Sequence, residues 1–125
     1  MLFDTDILIW VQKGNLKAAR LLERTTERCL SLQSFLELMQ LAENRKQQKL
    51  TRNFLNEYQF DVIPLTENIG HRAAVYIEQF SLSGGLRTGD AIIAATAVEG
   101  NLTLCSSNYR HFKVIPDLEF RRFNP

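Results

Sequence analysis

Disulfide chemistry is the first thing this chain lacks. Cys29 and Cys105 are its only cysteines; they show no C-x-x-C spacing and are too few for a disulfide framework. Each lies in an apolar, strand-like run and reads as a small buried thiol. The two histidines, His71 and His111, have no zinc-like spacing either. Long hydrophobic runs are also missing. No stretch reaches the ~18 uninterrupted apolar residues of a membrane span, and Asp4 and Asp6 interrupt the first apolar run with no basic segment before it, unlike a secretory leader. A cytoplasmic protein with no membrane association is expected. Charge of one sign is scarce as well: fifteen Lys and Arg against fourteen Asp and Glu leave a formal charge of +1. No global field recruits nucleic acid, so any such attraction must come from a local patch. Internal repeats, low-complexity tracts and linkers are absent.

What is there fits an ordinary globular domain. The 125 residues, 45% hydrophobic and 23% charged, suffice for one domain over residues 1–125 with a real core. Residues 1–3 read as a short strand, followed by the acidic turn Asp4-Thr5-Asp6 and an apolar helix start from Ile7, with Asp6 as N-cap. Residues 16–25 read as a helix with Leu21 and Leu22 inward, and residues 29–32 as a strand. Ser34 opens a helix in which Phe35, Leu38, Met39 and Ala42 follow the i, i+3, i+4, i+7 spacing. Residues 47–51 read as a polar break and 52–58 as a short helix. Residues 62–65 read as a strand whose Pro64 suits an end or an edge. Thr66 caps a helix with Ile69, Ala73, Tyr76, Ile77 and Phe80 inward.

After a Ser83-Gly84-Gly85 loop, the stretch TGDAIIAATAVEG reads as a helix that is apolar on nearly every face, hence buried. Gly89-Asp90 opens it and Gly100 suits the C′ position. A strand over residues 102–105 then delivers Ser106, Ser107 and Asn108, and residues 114–115 and 118–120 supply a last strand. Strands alternating with helices predict an α/β fold around a parallel sheet.

In such a sheet ligands bind beyond the carboxyl ends of the strands. Asp4 follows the first strand, Glu37 lies early in the helix after the second, and Ser106 with Asn108 follows the strand after the Asp90 helix. Three carboxylates and an amide can therefore meet in one pocket. Crowded carboxylates raise one another's pKa unless a cation neutralises them, and oxygen-only ligation suits Mg²⁺ or Mn²⁺. Each residue also has a purely structural reading. Ser34-Phe35-Leu36-Glu37 is a capping-box pattern in which Glu37 reaches back to the Ser34 N–H. Asp90 reads as a cap or a ligand, Asn108 can simply hold a turn, and His111 is a partly exposed helix residue. Asp4 is hardest to explain structurally, because the end of a buried parallel strand is a costly place for an unpaired carboxylate. Basic residues cluster modestly at Arg45, Lys46, Lys49 and Arg52, between two helices, and at Arg121-Arg122.

Three blocks together, LFDTDILI, SLQSFLEL and GDAIIAATAVEGNLTLCSSNYRHF, resemble the PIN-domain family, and within it the VapC-type toxin ribonucleases of toxin–antitoxin pairs. The resemblance spans almost the whole chain. It implies a three-layer sandwich with a central parallel sheet and helices on both faces. It also implies Asp4, Glu37 and Asp90 as metal-binding catalytic carboxylates, with Mg²⁺ or Mn²⁺ as cofactor. Asn108 falls at the fourth catalytic position, where many relatives carry an acid and others an Asn, which leaves one metal or two open. Asp6, Ser106 and Asn108 become supporting or substrate-contacting residues. An RNA substrate, a homodimer and a small antitoxin partner are further implications. Two alternatives stand beside this reading. One is a phosphatase using the first Asp of Asp4-Thr5-Asp6 as nucleophile, although that pattern continues with Thr where this chain has Leu8 and needs a catalytic Lys. The other is a non-catalytic module of the same fold that binds RNA or protein.

Overall fold

The structure is a computed structural model that describes residues 1–125. A buried two-residue strand, β1 (Leu2–Phe3), lies at the middle of the sheet, and Asp4 ends it. Extended backbone at Asp4 lets its carboxylate accept from the Thr5 N–H, so α1 (Thr5–Gln12) starts two residues earlier than expected and Asp4, not Asp6, is its N-cap. Asn15 caps α2 (Leu16–Arg24), and β2 (Cys29–Ser31) follows. Ser31, fully buried, accepts from the Ser34 N–H and caps α3 (Leu32–Leu41). The expected helix start at Ser34 is thus two residues late. Glu37 lies in the body of the helix, too far from its start for the capping box.

The expected break over residues 47–51 does not exist either. Asn44 caps a continuous helix, α4 (Arg45–Glu57), because Lys, Gln and Leu are good helix formers and no Gly or Pro interrupts them. The basic cluster Arg45, Lys46, Lys49 and Arg52 lies on that helix, not between two. An edge strand, β3 (Asp61–Ile63), ends just before Pro64. Thr66 caps α5 (Glu67–Gly84), which runs through the expected loop until Gly85, at φ 69°, stops it in the left-handed region. Next comes α6 (Thr88–Glu99), with Arg87 at the N-cap and Asp90 as its third residue. Gly100 ends it at φ −89°; the left-handed position falls to Asn101, at φ 53°. Gly100 is needed for room, since a Cβ there would lie 3.3 Å from the Thr96 carbonyl oxygen and from Leu102 Cδ1. The chain closes with β4 (Leu104–Ser106), α7 (Tyr109–Phe112) and β5 (Phe120–Arg122). Both expected last-strand segments sit too early, and residues 114–115 are not in a strand.

All the strands are parallel, in the order β3-β2-β1-β4-β5. Side chains alternate along them: Leu2, Cys29 and Leu104 pack with α5 and α6 on one face, while Phe3, Leu30 and Cys105 pack with the helices of the first half on the other. Burial on both faces leaves β1, β2 and β4 apolar except for Ser31, which caps α3, and Ser106, which hydrogen-bonds Asp4. No helix is long and apolar enough to cross a membrane. From β1 the chain winds one way to β2 and β3, then crosses back to β4 and β5. The order reverses between β1 and β4, which is where an open parallel sheet leaves a crevice for ligands.

Candidate active site

Asp4 and Ser106, the polar residues at the ends of the two strands flanking that crevice, are joined directly: Ser106 Oγ donates to Asp4 Oδ2 at 2.7 Å. The other carboxylate oxygen accepts from the Thr5 N–H at 2.8 Å. Asp4 is 4% exposed. Burial, followed by the charge of Asp6, pushes its pKa up to about 7, against the pull of the Ser106 and Thr5 hydrogen bonds. In the first turn of α1, Asp6 reaches across to the residue after β4. Its Oδ2 accepts from Ser107 N–H at 2.9 Å and also from Ser107 Oγ, while Oδ1 is buried with no hydrogen-bond partner.

Glu37 reaches the same place from α3 and accepts from Thr5 Oγ1 at 2.9 Å. Gly89, in the first turn of α6, brings the backbone close to it: a Cβ there would be 3.8 Å from Glu37 Oε2. Asp90 follows, with Oδ2 buried and lacking a hydrogen bond, though His111 Nδ1 is 3.2 Å away. Burial raises the Asp90 pKa and the His111 charge opposes that rise. Asn108 is exposed, and its N–H donates to Ser106 Oγ at 2.9 Å.

One cavity of about 320 Å³ is lined by Asp4, Asp6, Glu37, Asp90 and Asn108, together with Thr5 and the apolar Ile9 and Leu41. Every candidate site residue read from the sequence therefore meets here except Ser106, which stands fully buried behind Asp4. Thr5, Ser107 and His111 were missed or undervalued. Thr5 sits inside the Asp-Thr-Asp motif and Ser107 inside the Ser-Ser-Asn cluster, so the motifs contained them without revealing their partners.

The pocket's chemistry fits a hard divalent cation. All its charged ligand atoms are carboxylate oxygens, two of which lie buried without a hydrogen bond, a costly arrangement unless a cation neutralises them. No three His, Cys, Asp or Glu side chains form a closed metal cage. An ion such as Mg²⁺ does not need one, since it keeps several waters and takes one or two carboxylates directly.

Comparison with known proteins agrees with this fold. Residues 1–118 match the PIN domain family. A toxin–antitoxin complex from Klebsiella pneumoniae contains a chain 32% identical to this one, with a TM-score of 0.79 over 94% of this chain and 93% of that one. VapBC2 from Rickettsia felis, bound to a DNA fragment from its promoter, has a TM-score of 0.81 at 21% identity, covering 98% of both chains. VapBC-1 from nontypeable Haemophilus influenzae has a TM-score of 0.78 at 23% identity over 97% of this chain and 96% of that one. No curated protein matches by sequence.

Proposed function

The chain belongs to the PIN-domain family, and from that premise we propose that it is a divalent-metal-dependent endoribonuclease, the toxin of a toxin–antitoxin pair. The observation that carries the reading is the convergence of Asp4, Asp6, Glu37 and Asp90 on one pocket at the switch point of the sheet, where Asp6 Oδ1 is buried with no partner and Asp90 Oδ2 is buried with only His111 beside it. Asp4, Glu37 and Asp90 would hold Mg²⁺ or Mn²⁺, which would supply the activated water and the neutralisation of phosphate charge that phosphodiester hydrolysis needs. The chain's own residues set the geometry. Ser106 Oγ fixes the Asp4 carboxylate and Thr5 Oγ1 fixes that of Glu37. Asp4, with its pKa pushed up to about 7, holds a proton for part of the time at neutral pH, and a bound cation would displace that proton to solvent. Asn108 offers an amide at the rim that can donate to a phosphate oxygen.

A partner reading accompanies the catalytic one. A groove of about 560 Å³ between α1, α3 and α4 adjoins the acidic pocket and shares Ile9 and Leu41 with it. Leu41 and Leu50, at 62% and 58% exposure, lie open along it. An amphipathic antitoxin segment can bury its apolar face there while an Arg or Lys enters the acidic pocket in place of the cation. A homodimer is the assembly to test by sedimentation. The phosphatase alternative loses ground, because Leu8, where that pattern needs a hydroxyl, is 1% exposed in the core.

Pure protein incubated with mixed RNA should cut it in Mg²⁺ or Mn²⁺ and not in EDTA, and Asp90→Asn should be inactive. Hydrolysis of p-nitrophenyl phosphate without RNA cleavage would replace this reading with the phosphatase. No cleavage of either, with RNA or protein still bound, would leave the non-catalytic module.

A further inference from the structure

The fold gathers positive charge in one place, which the near-neutral composition hides. Lys17, Arg20 and Arg24 project from α2 toward Arg121 and Arg122 on β5, and together they line a groove of about 340 Å³. Arg122 also lines a second groove, over α7, with Arg110, Lys113, Ser107 and Asn108. Asn108 in turn lines the acidic pocket. The three cavities are thus linked in a row by shared residues. Seven of the fifteen Lys and Arg lie in the two basic grooves, no Asp or Glu lines either, and none of the seven is in an ion pair. A solvated face of a chain with fourteen acids would mix the signs.

We propose that the groove between α2 and β5, continued round the sheet edge over α7, is the track that holds the sugar–phosphate backbone of single-stranded RNA leading into the acidic pocket. The proposal rests on the nuclease reading and says where its substrate lies. An acidic centre repels a polyanion, so affinity must come from outside it, and a row of unpaired cations ending at its rim supplies that affinity. Arg122 stands in register with Ser106, the residue that orients Asp4, so the track ends at the chemistry. Its guanidinium lies 5.3 Å from the centre of the Tyr109 ring. Tyr109 is 42% exposed and offers a face on which a base can stack, as on other single-strand tracks. Charged edge strands also block sheet extension, but that accounts for Arg121 and Arg122 alone, not for the three cations of α2.

The test is the exposed triple variant Arg20→Gln/Arg24→Gln/Arg121→Gln, with Arg24→Gln alone as a second variant should the triple melt early. Anisotropy of a labelled single-stranded RNA in EDTA reads affinity without turnover, and steady-state cleavage in Mg²⁺ reads kcat and KM. The triple variant should bind at least tenfold more weakly and raise KM with kcat little changed. Its log–log salt slope should be flatter by about 2, three phosphate contacts at roughly 0.7 each. Arg45→Ala/Lys46→Ala on α4 should bind as wild type. If wild type cuts RNA and the triple variant matches it in KM and salt slope, the track is wrong and the nuclease reading stands. If wild type neither binds nor cuts RNA, both fall. Weakened binding of an acidic protein partner with RNA affinity intact would reassign the groove to that partner.

Discussion

Asp4 closes the central strand with almost no exposure, and its carboxylate sets the pH behaviour of the metal-free protein. In the unfolded chain it titrates at its ordinary 3.8, and in the fold at about 7. Between those values the folded state holds the extra proton. The associated stability is complete below about pH 4 and is lost as pH rises through about 7. At roughly 1.4 kcal/mol per pH unit the loss is at most ~4 kcal/mol. Asp4→Asn keeps the shape and one acceptor while removing the titration. In EDTA its melting temperature should fall less than that of wild type from pH 4 to about 8 and exceed wild type at the upper end, with RNA cleavage abolished. A variant that melts below wild type at every pH would show that the carboxylate serves the fold, not a cation. Asn108→Asp makes the complementary change. A unit charge about 4 Å from an ion in water-like surroundings is worth ~1 kcal/mol, roughly fivefold in affinity, so a calorimetric titration should show Mn²⁺ binding tightened by at least that much. Unchanged affinity would place Asn108 outside the metal site. That Asp4, Asp90 and Asn108 share a pocket was legible in the sequence because each lies near the end of one element or the start of the next, where a parallel sheet collects ligands; Glu37 joins them from the body of α3. Thr5 and Ser107 were not, because a hydroxyl's role depends on which carboxylate the fold brings to it.

At the scale of the element, Ser31 matters more than Ser34. Ser31 Oγ accepts from the Ser34 N–H at 3.0 Å and lies 3.2 Å from Ser34 Oγ, both fully buried. Ser31→Ala removes the cap of the helix that carries Glu37 and leaves buried donors unpaired, at a cost of about 1–2 kcal/mol. Chemical denaturation should show that loss while cleavage persists, because Thr5 still anchors Glu37. Equal stability would mean another group caps α3. The helix bodies were readable from apolar spacing; their ends were not. Capping depends on which of several adjacent polar residues has extended backbone, and SLQS offers two serines. The same ambiguity displaced the cap from Asp4 to Asp6. The break expected over residues 47–51 reflected polarity alone, which describes an exposed helix as well as a loop. In β5 the exposed Arg121 and Arg122 did not look like a strand, because an edge strand carries no apolar alternation on its open side.

For the whole molecule, strands alternating with helices were enough to indicate a parallel sheet, the family resemblance added helices on both faces, and that architecture makes separate residues share a pocket. Strand order was not legible, since nothing local states that β4 inserts beside β1. Yet that insertion brings Asp90 and Asn108 to Asp4 and Glu37. A pocket assembled from β1, α3, α6 and the start of α7 should tie global stability to a divalent ion, because an ion that binds only the assembled site stabilises by mass action. At a concentration 100 times its Kd the gain is ~2.7 kcal/mol. Its ligands must be deprotonated, so the gain depends on pH in the opposite sense to metal-free stability. If one proton must leave Asp4, whose pKa is about 7, affinity falls roughly tenfold per pH unit below that value. Mn²⁺ fixed at 100 times its pH 8 Kd is then about equal to Kd at pH 5, where the gain is only ~0.4 kcal/mol. Melts in EDTA should fall as pH rises while melts in Mn²⁺ hold level, so the two curves diverge. Asp90→Asn should collapse them onto each other at every pH. A Mn²⁺ increment of the same size at pH 5 and pH 8, or one that survives Asp90→Asn, would place the ion elsewhere on the protein and leave the acidic pocket without its cation.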